Sequence, residues 1–299
     1  MWRIIVIQND SDISINNENL IIKNKNGVFN INLSEISVLI IDNIKSKIST
    51  YTMFKLSEYN VCIIFCDDKH MPISNAIGIN SNSRSSKVLE SQINVSKVVI
   101  NNIWENIIES KIYNQSICLE LLDLDYNKIR SISNTVKSND NTNREAYAAR
   151  EYFKILFDKD FTRKCDVLFN QCLNYCYSII RSNIARYCIA YGLNPQIGIH
   201  HNNDLNGFNL VDDLIEVFRP MVDMYVYNLL KIDYKELDNK LKSELIHINS
   251  YNIMYKNKKY TLDKCISLYV ANLKSCIVNN SYEDFETPKI IKLERHRYE

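Results

Sequence analysis

Glycine and proline are nearly missing, at five and four residues in 299. So few turn formers argue against a many-stranded β protein and favour long helices. Net charge is nearly missing too: 36 basic side chains meet 35 acidic ones, leaving +1. Bulk charge therefore gives no support for nucleic-acid binding, and any grip on phosphates has to come from local patches. No Cys-x-x-Cys occurs among the nine cysteines, Cys62, Cys66, Cys118, Cys165, Cys172, Cys176, Cys188, Cys265 and Cys276. Their apolar surroundings suit buried reduced thiols. Cys172 and Cys176, four apart on one helix face, leave a metal or redox role as the minor reading. No apolar run approaches the roughly 18 residues of a membrane span. The start, Met1-Trp2-Arg3-Ile4-Ile5-Val6, has no basic leader or cleavage site, so a cytoplasmic protein is expected.

What is present divides by texture. Residues 1–76 carry short β-branched runs: Ile4 to Ile7, Leu20 to Ile22, Val28 to Ile31, Val38 to Ile41 and Val61 to Phe65. They read as strands, with Asn26-Gly27 as a hairpin signal and a short helix over 48–59. About six strands are expected. Residues 77–86, with Gly78 and a serine- and asparagine-rich stretch, read as a linker. Residues 87–299 read as helical. Apolar positions recur at helical spacing over 87–123, and 131–143 is polar and loop-like. A helix should start after Asn143 as its cap. Another should run from 163 to 191 and end at Gly192, and a third from Asn209 to about 230. The fold class is thus α+β: a small N-terminal β-rich domain, then a larger all-α domain.

The most unusual stretch is Gly198 to Pro220. Two of only five histidines, His200 and His201, are adjacent there. Asp213 and Glu216 follow, three apart, so they lie roughly 60° apart around a helix. Their carboxylates could face one point, with His201 folding back toward them. Carboxylate oxygens with one imidazole suit Mg²⁺ or Mn²⁺. The plainer alternative is helix-terminus electrostatics, with Glu216 pairing to Arg219. Glu145 opens another helix beside Ala146, Ala148 and Ala149, small residues that let a second element approach.

Asn143-Arg144-Glu145, followed by Ala149-Arg150 and Tyr152-Phe153, resembles the first acidic motif of the catalytic subunit of the CRISPR-associated spacer integrase family. Gly198 to Pro220, with His201, Phe208-Asn209-Leu210, Asp213, Glu216 and Phe218-Arg219-Pro220, resembles its second and third motifs. Phe65-Cys66-Asp67-Asp68-Lys69 and Asp160-Phe161-Thr162-Arg163 resemble the form found with type II CRISPR systems. The resemblance implies Glu145, His201 and Glu216 as ligands of Mg²⁺ or Mn²⁺, with Asp213 as an auxiliary acid. It implies a bacterial DNA endonuclease and integrase with a β domain for dimerisation and a helical domain for catalysis. Its implied partners are double-stranded DNA, a second copy, and a small companion subunit that completes a heterohexamer. A ring-shaped DNA-end protein and an effector nuclease join in type II systems. Candidate DNA contacts are Arg144, Arg150 and Arg163, and the cluster Lys256, Lys258 and Lys259. Rival readings are a metal-dependent nuclease that cuts without joining and a non-catalytic DNA scaffold.

Overall fold

A run without polar interruption, Val38-Leu39-Ile40-Ile41, suits a strand buried on both faces, as in parallel sheets. In the computed structural model it lies in β5 (Ile36–Ile41), all six of whose residues are buried. The structure describes residues 3–68, 72–79, 85–137, 140–157, 163, 167–232 and 234–296. Strand β5 pairs in parallel with β1 (Arg3–Ile7) and β7 (Cys62–Cys66). An antiparallel strand, β8 (Pro72–Ala76), completes the sheet in the order β1-β5-β7-β8. A second sheet runs β4-β3-β2-β6, from β2 (Asp12–Asn16), β3 (Asn19–Asn24), β4 (Gly27–Asn32) and β6 (Lys47–Ile48). The hairpin signalled by Asn26-Gly27 forms, its turn one residue earlier at Lys25-Asn26, with Asn24 paired to Gly27. The β2–β3 hairpin turns at Asn17-Glu18, both in the left-handed region without a glycine. That choice hides it from a search for glycine turns.

Strand periodicity sorts the β5 side chains. Leu39 and Ile41 join Ile7, Ile13, Leu20 and Leu56 in a core between the two sheets and α1 (Thr50–Glu58). Val38 and Ile40 face the other way, into a large core shared with the helices. The parallel sheet thus serves both cores, and a single buried layer joins the β-rich part to the helical part.

The helical part holds α2 (Ser85–Asn94), α3 (Lys97–Leu121), α4 (Asn127–Ser133), α5 (Arg144–Leu156), α6 (Leu168–Ala190), α7 (Asn209–Leu214), α8 (Arg219–Leu229), α9 (Asn239–Ile246) and α10 (Leu262–Asn279). Several expectations need correcting. The stretch 87–123 is helical as expected, divided in two where the Ser96 side chain caps a new start by accepting from Val99 N. Residues 131–133 are the end of α4 rather than loop. The helix expected from 163 begins at Leu168. Asp160, Phe161, Thr162, Lys69, Cys165 and half of the expected linker, 80–84, lie outside the described residues. The helical part is also not purely α: β9 (Asn252–Tyr255) and β10 (Lys258–Thr261) form an antiparallel hairpin. Its turn, Lys256-Asn257, is left-handed at both residues.

Two helix starts matter for the site. Asn143 does not cap α5; it is left-handed, with φ 53°, and its side chain makes no capping bond. Asp140 does the capping, accepting from Arg144 N at 2.8 Å and Glu145 N at 3.0 Å. The helix expected from Asn209 to 230 is broken by a 3₁₀ turn, Ile215–Phe218, between α7 and α8. Pro220 accounts for the break. It has no N–H to give the carbonyl of Glu216, which instead accepts from Arg219 N. Gly192 ends α6 as expected, at φ 83°.

Candidate active site

Asp213 is the centre of one half of the site. It is fully buried on α7. Its carboxylate accepts from the backbone N–H groups of Ile199 at 2.6 Å, His200 at 3.0 Å and His201 at 3.1 Å. It also meets His201 Nδ1 at 2.6 Å. One buried acid therefore wraps the loop before it and sets the His201 ring. That hydrogen bond, which outweighs partial burial, raises the His201 imidazole above its ordinary range. With Nδ1 engaged, Nε2 is the nitrogen left for other chemistry, the arrangement in which a carboxylate orients a ligating imidazole. Gly198 is required in this loop. A Cβ there would collide with the carbonyl of His201 and reach 2.9 Å from Asp213 Oδ2.

Further bonds hold the same loop. Asn209 Nδ2 donates to the carbonyls of Gln196 and Asn203. Arg181 on α6 grips Asp212 through two nitrogens, at 2.6 and 3.0 Å. His200 stacks on Trp104 of α3, with ring centroids 4.3 Å apart and planes 1° from parallel, while His201 meets the same indole edge-on. The two histidines thus differ in surroundings: His200 lies flat on an aromatic wall, and His201 is oriented by an acid.

The other half comes from distant segments. Glu216 is buried in the 3₁₀ turn. Burial opposes its charge, but Lys111 and Arg219 outweigh burial and pull its carboxyl down to about 2. Arg219 Nε donates to Oε1 at 2.8 Å, the pairing weighed in the sequence as the plainer alternative. Lys111 Nζ lies 2.5 Å from Glu216 Oε2 and 2.6 Å from Glu145 Oε1. The two glutamates, from α5 and the 3₁₀ turn, thus converge on one ammonium from α3. Glu216 Oε2 is buried and meets that ammonium without hydrogen-bond alignment. Asn114, one turn along α3, anchors this helix: its Nδ2 donates to Val217 O at 2.9 Å and Pro288 O at 3.0 Å, and its Oδ1 accepts from Ile290 N.

Glu145 and Glu216 are therefore brought together, and His201 is oriented by Asp213. Asp213 and Glu216 do not face one point, contrary to the expectation from their spacing. Asp213 turns to the loop and Glu216 to Lys111, because three backbone N–H groups and an imidazole claim the first acid. Two hard carboxylates and an oriented imidazole are a donor set that suits Mg²⁺ or Mn²⁺. As placed, no group of three or more His, Cys, Asp or Glu side chains among the described residues closes around a metal position.

Lys111, Trp104 and Asn114 were not visible as site residues in the sequence. A signal existed: Lys111 and Asn114 fall among the apolar positions Ile107, Ile108, Ile112 and Leu119, in the polar stretch of the helix that also holds Ser110, Gln115 and Ser116. The basic candidates divide. Arg144 flanks Glu145 at the start of α5. Arg150 is exposed and lies over Tyr147 with its guanidinium 5.5 Å from the ring. Arg163 bonds Asn170 and Asn174 and lies over Tyr177. Lys256 pairs with Glu286 and Lys259 with Glu294 on the β9–β10 hairpin, beside Lys258. The eight described cysteines are all free and buried, and burial pushes the Cys172 thiol up to about 12. No described helix is long and apolar enough to cross a membrane.

The chain is 30% identical to the CRISPR-associated endonuclease Cas1 of Neisseria meningitidis serogroup C (strain 8013), over all of this chain (100%) and 99% of that protein. Its fold is similar to a casposase solved bound to integration product, with a TM-score of 0.77, 17% identity and coverage of 95% of this chain and 94% of that one. It is also similar to part of a Cas6-RT-Cas1–Cas2 complex, with a TM-score of 0.74, 18% identity and coverage of 97% of this chain and 36% of that one. The family model described as CRISPR associated protein Cas1 matches residues 4–244, and the chain belongs to that family.

Proposed function

We propose that this chain is a metal-dependent DNA integrase that joins short DNA fragments into a CRISPR array by transesterification. The observation that carries the reading is the convergence of Glu145 and Glu216 on one cationic atom beside an imidazole held by a buried acid. Glu145, Glu216 and His201 Nε2 would hold a Mg²⁺ or Mn²⁺ ion, which supplies charge neutralisation at the non-bridging and leaving oxygens of a phosphodiester. Asp213 is a positioning residue: it keeps the His201 ring in one orientation and one tautomer. Arg219 keeps the Glu216 carboxylate ionised and aimed. In the reaction a P–O bond forms to the 3′-oxygen of the incoming fragment. The P–O bond to the 3′-oxygen at the repeat edge breaks, and the attacking hydroxyl gives up its proton as the leaving oxygen gains one. No protein nucleophile is needed.

Double-stranded DNA is the proposed substrate, with Arg144, Arg150 and Arg163 as contacts. Arg163 and Arg219 both lie over Tyr177, which joins two guanidinium groups at one aromatic ring. A homodimer through residues 1–76 is part of the proposal, supported by Val28 and Phe29, which β4 leaves exposed. The small companion subunit is supported by the Cas2 part of the similar complex. The type II partners and a bacterial cytoplasmic setting follow from the motif resemblance. A hydrolytic nuclease is the second reading, favoured by the name of the Neisseria relative.

The test supplies protein and companion subunit with labelled fragment and a supercoiled repeat-bearing plasmid, under Mg²⁺, Mn²⁺ or chelator. Metal-dependent joining is expected in the wild type. Glu145→Ala, His201→Ala and Glu216→Ala should each lose joining while DNA binding persists. Cutting without joining would select the nuclease, and binding with neither would select a scaffold.

A further inference from the structure

The Glu145–Glu216 pair raises a charge problem. Two carboxylates held this close, Glu216 buried and Glu145 31% exposed, repel each other unless a positive charge lies between them. Here that charge belongs to the protein. The Lys111 side chain is 9% exposed and its ammonium bridges the two acids at 2.6 and 2.5 Å. Among the described residues, Lys111 is the one partner of the Glu145 carboxylate, whereas Glu216 also has Arg219.

We propose that Lys111 is an internal counter-ion that assembles Glu145 and Glu216 before a divalent cation arrives, and that the cation enters by displacing it. This rests on the ligand reading above. Among the described residues, the three donors do not close around a common point. An ammonium and a dication on the same two carboxylates repel each other, so occupancy by one disfavours the other. Lysine suits the task physically: it is a compact charge on a flexible stem, so it can leave without moving the backbone of α3. The pair is thereby kept from splaying apart without metal, and some metal affinity is given up for that pre-assembly.

Three measurements on the full chain test this. In calorimetric Mn²⁺ titration, Lys111→Met should bind at least about tenfold more tightly than wild type, because nothing needs displacing. Its thermal midpoint in chelator should fall, and Mn²⁺ should raise it by more than it raises the wild type. Lys111→Arg, which keeps the charge, should gain no affinity. In wild-type protein, Mn²⁺ should increase acylation of Lys111 as read by mass spectrometry; this needs no variant to fold. Lys111→Met binding Mn²⁺ no more tightly than wild type, or unchanged Lys111 acylation, overturns the proposal. His201→Ala and Glu216→Gln run in the same titration separate the two layers. If both bind Mn²⁺ as wild type does, the ligand reading has failed. If both lose binding while Lys111→Met matches wild type, only the counter-ion role has failed.

Discussion

The two halves of the site are built by opposite means. The His201 loop is organised from within: Asp213 binds three backbone N–H groups and one imidazole that lie 12 to 14 residues before it. The α3 side is organised from afar: Lys111 meets partners 34 and 105 positions away in sequence, and Asn114 partners more than 100 away. A local network needs one segment to fold correctly. A remote one needs the whole helical core in place, so it reports on the fold as much as on the site.

The sharpest way to break this contrast is Asp213→Ala. It leaves the buried Ile199 N–H, the partly buried N–H groups of His200 and His201 and the His201 ring without their acceptor, at a cost on the order of 3–5 kcal/mol. Chemical denaturation should read that loss. Hydrogen exchange should rise first at 199–203, with α3 still protected; α3 exchanging equally would mean that the halves are not separable. Next in size is Asn114→Ala, expected to cost about 2–3 kcal/mol, because the Val217 and Pro288 carbonyls and the Ile290 N–H each lose a bond in the core, Pro288 keeping only Ser110 Oγ. Here protection should fall on both sides of the site, at 215–218 and at 288–290, while the His201 loop keeps its own. The smallest effect is Asp140→Ala. Loss of the α5 cap should cost about 1 kcal/mol and loosen Glu145 alone. A stability loss as large as that of Asn114→Ala would show that Asp140 does more than cap.

The sequence was most readable where structure is local. The β5 run, the hairpin signalled by Asn26-Gly27 and the Gly192 stop each depend on neighbours in the chain, and each forms. So does the pairing of Glu216 with Arg219, three residues apart. The errors share one cause. Asn143 has the chemistry of a cap, but Asp140, three residues earlier, reaches the same N–H groups once the loop turns left-handed at Asn143. Spacing placed Asp213 and Glu216 on neighbouring faces but could not say which partners would claim each.

The residues of Gly198 to Pro220 determined that an acid would organise a histidine loop, because donors and acceptor lie within one short segment and a glycine permits their close approach. They also determined the break before α8, since proline cannot complete the helical bond to Glu216. Only the tertiary structure decided that Glu145 and Glu216 would meet, and that a lysine from α3 would lie between them. Helical periodicity assigns a face to each residue. Which faces meet is set by packing, and the charge at the meeting point follows from that.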